Sequence, residues 1–290
     1  MNYWDRLKRL LFRNKYRLKH AEARIGRLEK QIQSLQAQLR DVTSTLPGFA
    51  DVFRSMIAPL VPHAAAGVAK RRVGVADDGA YVMLDDFNGI AAAYSLGIGK
   101  EVSWDLDVAA QNIVVHQFDP TVKAPPSGHP LFRFQPKRVV AGRGSSEPGT
   151  ITLREMLAGT VGEGGALLKM DIEGAEWDVL DSVPEDVLRH FRQIAVEFHG
   201  FNRYCDQQWR DRATRIFQKL TAFHRLVHVH GNNFNPTFGA GVREFPYDVE
   251  MTFALASAYR LSPSFESFPC SLDRPNKPNM PDYDLGDFRF

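Results

Sequence analysis

The sequence predicts an α/β protein built on a mostly parallel sheet and preceded by a long coiled-coil helix, and three observations carry that prediction. Short apolar runs alternate with helically spaced segments through the body of the chain, which implies strands covered on both faces by helices. One run, Leu167-Leu168-Lys169-Met170, stops at Asp171; Gly174 follows, and Trp177 and Leu180 take up helical spacing. The first 46 residues carry a seven-residue apolar period with no proline before Pro47.

At 290 residues and 44% hydrophobic side chains, the chain can bury a full core and reads as one large domain with an appendage. It has no run of about 18 apolar residues, so no membrane-spanning helix is expected. Cys205 and Cys270 are the only cysteines, which argues for a reducing compartment. The start, interrupted by Arg6, Lys8, Arg9 and Arg13, lacks the apolar stretch of a secretory signal, so a cytoplasmic protein is expected. The net charge of +2 hides an asymmetry, because residues 1–30 hold ten Lys/Arg against three Asp/Glu. A basic arm of +7 is joined to a body of −5, for which no nucleic-acid partner is expected.

Within residues 1–46, Trp4, Leu11, Leu18, Ile25, Ile32, Leu39 and Leu46 occupy a positions, and Leu7, Asn14, Ala21, Leu28, Leu35 and Val42 occupy d positions. Six such repeats predict a left-handed coiled coil roughly 65 Å long. Its seam needs a partner helix, so a homo-oligomer, dimer or trimer, is expected. Asn14 at d would set register at some cost in stability. Trp4, Leu7, Leu10, Leu11 and Phe12 among the basic residues also suit a helix lying on an anionic membrane surface, a peripheral contact at the inner face. A solvated coiled-coil face accounts for the same charges equally well.

Pro47 and Gly48 end the coil, and residues 47–67 form a connecting segment broken by Pro59 and Pro62. The body, residues 68–261, opens with two alternating segments around Asp78-Gly79, a hairpin signal. Strands are expected at 91–96, 113–118, 132–140, 166–170, 194–198, 226–229 and 249–256. Trp209, Ala213, Ile216, Phe217 and Leu220 mark a helix before the sixth. The tail, residues 262–290, holds Pro263, Pro269, Pro275, Pro278 and Pro281 and cannot be regular helix; Phe265, Phe268, Tyr283 and Phe288 should pack it onto the body.

Ligands of open α/β sheets sit outside the carboxyl ends of the strands, which makes Asp171 a site candidate as well as a helix-capping one. After the first strand comes Ser95-Leu96-Gly97-Ile98-Gly99-Lys100-Glu101, where Gly97 and Gly99 let the backbone approach a ligand. Val102 stands where a dinucleotide fingerprint needs its third glycine, which weakens a nicotinamide-dependent oxidoreductase. The second strand ends in Phe118-Asp119-Pro120-Thr121, placing an acid where it can bind ribose hydroxyls. Together these features specify a nucleoside ligand without a pyrophosphate.

That combination resembles the S-adenosyl-L-methionine-dependent methyltransferases, and more narrowly the FkbM-type family, over roughly residues 68–285. The resemblance is carried by Asp77-Asp78-Gly79-Ala80-Tyr81-Val82, the Ser95–Gly99 and Phe118–Thr121 strings, Leu168-Lys169-Met170-Asp171-Ile172-Glu173-Gly174-Ala175-Glu176, Val196-Glu197-Phe198-His199, His230-Gly231-Asn232-Asn233 and Leu272-Asp273-Arg274-Pro275-Asn276. It implies a Rossmann-like, seven-stranded class I methyltransferase sheet ending in an antiparallel hairpin. It also implies methyl donation from the sulfonium of the cofactor, usually to a hydroxyl of a sugar or secondary metabolite; a glycan or lipid-linked saccharide would suit a membrane-side enzyme. By resemblance Ser95, Gly97 and Gly99 line the methionine part, Asp119 holds the ribose, and Gly142 approaches the adenine.

Methyl transfer to oxygen needs a group to take the hydroxyl proton. His199, with an ordinary pKa near working pH, is the first choice of base, with His230 second and Asp171 beside them. Asn232, Asn233 and Asp78 would bind the acceptor. Asp171, Glu197 and His199 could also hold Mg²⁺ or Mn²⁺, without a compact ligand spacing to prove it. Glu173 and Glu176 read as a helix cap and a salt-bridge partner at the packing edge. The rival from another class is a non-catalytic coiled-coil scaffold with a degenerate nucleoside-binding body, to which Ser95 and Glu101 lend weight as departures from the general pattern.

Overall fold

The computed structural model describes residues 48–75, 78–142, 144, 147–157, 162–240 and 244–290, together with Arg24, Ile25, Leu28, Lys30, Gln31, Ser34 and Leu35. Those seven early positions are helical and exposed; the remainder of the expected coiled coil lies outside the described residues. The chain divides into two units, Met1–Pro47 and Gly48–Phe290.

In the second unit, α1 (Phe49–Ile57), β1 (His63–Ala65), β2 (Lys70–Val73) and β3 (Tyr81–Leu84) precede the central β4 (Ala92–Leu96). Then come α2 (Ser103–Ala109), β5 (Val114–Phe118), β6 (Phe132–Gln135), β7 (Arg138–Val139), β8 (Thr150–Ile151), α3 (Leu153–Met156) and β9 (Ala166–Met170). The chain continues through α4 (Glu176–Ser182), α5 (Glu185–Leu188), β10 (Phe191–Phe198), α6 (Gln207–Phe223), β11 (His224–Gly239), β12 (Glu244–Leu255) and β13 (Leu261–Pro263). Seven strands form one mixed sheet in the order β11-β12-β10-β9-β4-β5-β6. Five run parallel, and β12 is antiparallel to both β10 and β11. Every residue of β4 and β9 is buried, as expected of strands covered on both faces.

Helix α6 forms where the apolar spacing places it. Asp206 caps it by accepting from the Gln208 and Trp209 amides, and Trp209, Ala213, Ile216, Phe217 and Leu220 share its buried face. The Trp209 ring meets Trp177 of α4 at 4.7 Å between centroids. Each large side chain buried in this way contributes roughly 1.5–3 kcal/mol.

Three elements depart from expectation. The strand expected over 132–140 is divided at Pro136, which has no amide to give to the ladder; β7 leaves the main sheet and pairs with β8. The Asp78-Gly79 turn is no two-residue hairpin, because Val73 pairs with Tyr81 and a seven-residue connection spans 74–80. Strand β11, expected to stop near Val229, runs to Gly239 with register shifts after Leu226 and Asn232. Its polar residues stay in the strand because the tail satisfies them. His228 bonds Asp273 at 2.8 Å, His230 bonds Asp282 at 2.8 Å, and the Asn233 amide donates to the carbonyls of Lys277, Met280 and Pro281. Phe268, Leu285 and Phe288 of that tail enter the main core.

His224, fully buried at the start of β11, lies 2.9 Å from the Phe191 carbonyl, and burial lowers its pKa from 6.5 to about 4. The unfolded chain therefore takes the proton first as the pH falls. Stability carried by neutral His224 is present above pH 6.5 and is lost between pH 6.5 and about 4. At 1.36 kcal/mol per pKa unit the loss is about 3 kcal/mol. Urea unfolding at pH 7 and pH 4.5 checks this: His224→Gln should flatten the pH dependence by most of that amount, and an unchanged slope would refute it.

Candidate active site

The site grows from two strand ends held side by side. Leu96 pairs with Met170, so the chain leaves β4 at Gly97 and β9 at Asp171 in contact. The Asp171 amide donates to the Leu96 carbonyl at 3.0 Å, and the Gly97 amide to the Phe118 carbonyl at 2.9 Å. Gly97 has φ +75°, and a Cβ there would lie 1.7 Å from the Asp171 carbonyl oxygen. It is glycine because the chain itself crosses there. Gly99, at φ +49°, would point a side chain into open space, which leaves its face free for a ligand. Lys169, buried at the end of β9, donates to the Gly97 carbonyl at 2.8 Å and fixes the loop from beneath.

Asp119 closes the loop from β5. It accepts from the Gly99 amide at 2.8 Å and from the Thr121 amide and hydroxyl at 2.7 and 2.6 Å. Burial pushes its pKa up, but these bonds outweigh burial and hold it below the usual range. Between these parts lies a cavity of about 540 Å³, bordered by Gly97, Gly99, Asp119, Arg138, Asp171 and Asp78 among others. That is ample for a small-molecule ligand. Two expected cofactor residues are not on its wall. Ser95 is fully buried inside β4 and faces Asp105 of α2. Gly142 gives its amide to the Ser182 hydroxyl at 2.9 Å, while Arg138 and Val139 line the cavity where the chain turns at Pro136.

Beyond Asp171 stands His199, just past the end of β10. Its Nδ1 is 3.2 Å from Glu176 Oε1; its Nε2 is 3.9–4.0 Å from carboxylate oxygens of Asp171, Glu173 and Glu197. Burial alone would lower the His199 pKa, but the Glu176 bond and the surrounding carboxylates raise it to about 10. That environment favours the imidazolium at neutral pH and works against the expected role of His199 as base. Glu176 is fully buried at the first turn of α4, where Oε1 also accepts the Ile172 amide at 2.7 Å; it orients His199 and is not an edge residue. Glu173, at φ +58° in the turn, is exposed. Burial raises the Asp171 pKa to about 6, with Lys169 and His199 opposing, so its carboxylate is charged at neutral pH yet unusually basic.

His230, the second expected base, is not on the cavity wall. It lies within β11, separated from β9 by both β12 and β10, with Nδ1 3.0 Å from Glu250 and Nε2 2.8 Å from Asp282. Burial opposes its charge, but these carboxylates raise its pKa to about 10. Asn232 donates to Glu197 at 2.5 Å, whereas Asn233 is spent on the tail. Asp78 borders the cavity and accepts from Asn276 at 3.0 Å. Asp171, Glu197 and His199 offer ligand atoms within 4.8 Å of one another. Sequence reasoning missed the roles of Lys169, Glu250 and Asn276 and the full burial of Glu176. A charged residue inside an apolar strand was the available signal for Lys169 and Glu250; Asn276, in an irregular tail, offered none.

Residues 74–233 match the model of the methyltransferase FkbM domain. No curated protein matches the chain. Among solved structures, the chain is similar to a medium-resolution structure of the bifunctional kinase-methyltransferase WbdD, with 12% identity and a TM-score of 0.31. That likeness covers 61% of this chain and 38% of the other, so the chain spans well under half of that protein's length.

Proposed function

The chain belongs to the FkbM methyltransferase domain family, and from that premise we propose that it transfers the methyl group of S-adenosylmethionine to a hydroxyl oxygen. The observation that carries this is the single crevice in which Gly99, Asp119 and Asp171 all border the same cavity. The open face at Gly99 fits the methionine part, Asp119 the ribose, and the wall at Arg138 and Val139 the adenine. When bound, the cofactor supplies an electrophilic methyl group on a cationic sulfur. Asp171, opposite the glycine loop, takes the acceptor's proton on its carboxylate, and the His199 imidazolium keeps that carboxylate in place.

The acceptor we favour is a sugar or glycan hydroxyl, with Asp78 as a polar partner on the cavity wall. Homo-oligomerisation through residues 1–46 is supported by Ile25, Leu28 and Leu35, seam positions that are helical and exposed. The basic start suits an anionic membrane surface, and among the described residues no helix is long and apolar enough to cross a membrane. Free thiols at Cys205 and Cys270 fit a cytoplasmic setting.

Calorimetric titration with S-adenosylhomocysteine tests the cofactor. Micromolar binding is expected, weakened at least tenfold, about 1.4 kcal/mol, in Asp119→Ala. Absence of binding to the wild-type protein would sink the methyl-transfer reading and return weight to a scaffold.

A further inference from the structure

Glu197 of β10 and Glu250 of β12 are direct cross-strand partners, both buried. Like charges opposite one another on paired strands repel, more so away from water. The hydrogen bond reaching Glu197 comes from the neutral amide of Asn232. Glu250 Oε2 meets His230, and its Oε1 takes the Asn276 amide at 2.6 Å. The same Asn276 nitrogen reaches Asp78 Oδ1 at 3.0 Å. Oxygens of Asp78, Glu197 and Glu250 lie within 4.8 Å of one another.

Two buried polar atoms point to something more at this place. The Tyr81 hydroxyl, on a side chain 1% exposed, has no hydrogen-bond partner. Burial raises its pKa, and the nearby carboxylates of Asp171, Glu197, Glu250 and Asp78 add to the effect, so the hydroxyl lies in their neighbourhood. Asn276, 2% exposed, uses its nitrogen twice while Oδ1 has no partner. With its NH₂ turned toward the carboxylates of Asp78 and Glu250, the amide leaves its oxygen stranded.

We propose that Asp78, Glu197 and Glu250 bind a divalent cation, with Asn276 rotating its amide to present Oδ1 as a fourth ligand and the Tyr81 hydroxyl beside the ion. An all-oxygen set selects a hard ion such as Mg²⁺, Mn²⁺ or Ca²⁺. Asp78 is exposed and borders the cavity, which gives the ion a way in. This site is distinct from the Asp171, Glu197 and His199 group, with which it shares only Glu197. Its existence does not depend on methyl transfer; its use rests on that reading, since an ion at the cavity edge would hold the acceptor's oxygens and acidify a hydroxyl.

The test is Mn²⁺ titration of the full chain without cofactor, followed by the electron paramagnetic resonance signal of the free ion. The wild type should bind Mn²⁺ in the micromolar range. Glu250→Gln and Asp78→Asn should each weaken binding at least tenfold, whereas His199→Gln, which removes a positive charge 3.9 Å from Glu197, should not weaken it. Asp78 is exposed, so its variant is informative even if Glu250→Gln perturbs folding. The proposal is overturned if the wild type binds no Mn²⁺, if Asp78→Asn keeps full affinity, or if His199→Gln abolishes binding. S-adenosylhomocysteine titration of the same samples separates the two ideas: Mn²⁺ binding without nucleoside binding leaves the ion site standing and removes the methyl-transfer reading.

Discussion

Gly97→Ala should cost the protein more than about 4 kcal/mol, a loss outside the range of ordinary substitutions, or prevent folding altogether. The position combines φ +75° with a backbone oxygen 1.7 Å from where the new Cβ must go. Neither can be relieved locally, because the obstructing carbonyl belongs to Asp171, whose amide is bonded back to Leu96. Separating the two loops breaks the junction of the central strands. Gly99→Ala is the control, with φ +49° and nothing within 4 Å of its Cβ. It should cost only about 1 kcal/mol, the ordinary penalty of a left-handed residue. It should nonetheless weaken S-adenosylhomocysteine, because its methyl enters the cavity. Urea midpoints of the two variants decide the matter: equal stabilities would show that the close crossing at Gly97 does not exist.

Asp171→Asn should lower kcat by roughly 10³, within the 10²–10⁴ range of positioned general bases, with little change in nucleoside affinity. Asparagine keeps the shape and the backbone carbonyl that packs on Gly97, so the fold is preserved. What it removes is the one carboxylate that borders the cavity, lies beside His199 and carries a pKa near 6. Initial rates with any hydroxyl acceptor turned over by the wild type provide the measurement. A variant with wild-type kcat would move the base elsewhere; one that raises only KM would make Asp171 a binding group.

The central strands and α6 were legible because burial on both faces and a 3.6-residue period leave marks in the order of apolar residues. Asp171 was legible because a strand that stops at a carboxylate places it at the ligand edge. The chemistry of His199 was not, since its charge depends on Glu176, Glu197, Asp171 and Glu173 converging on one ring. Sequence spacing puts Glu176 near a helix start, but only the packing of α4 against β10 buries it fully. The length of β11 was hidden for a related reason. His228, His230, Asn232 and Asn233 look like the end of a strand until Asp273, Asp282 and the tail carbonyls supply their partners. Pro136 was visible, and its missing amide is what ends β6.

The tail has a consequence for biosynthesis. Synthesis proceeds from the amino end, so β4 to β12 leave the ribosome before Asn276 and Asp282 do. Glu250 and His230 must nevertheless wait for Asn276 and Asp282, the last partners to leave the ribosome. A nascent or prematurely terminated chain thus holds the buried His230–Glu250 pair without the second partner of either group. The completed network around Glu250 and His230 therefore certifies that translation has passed Asp282.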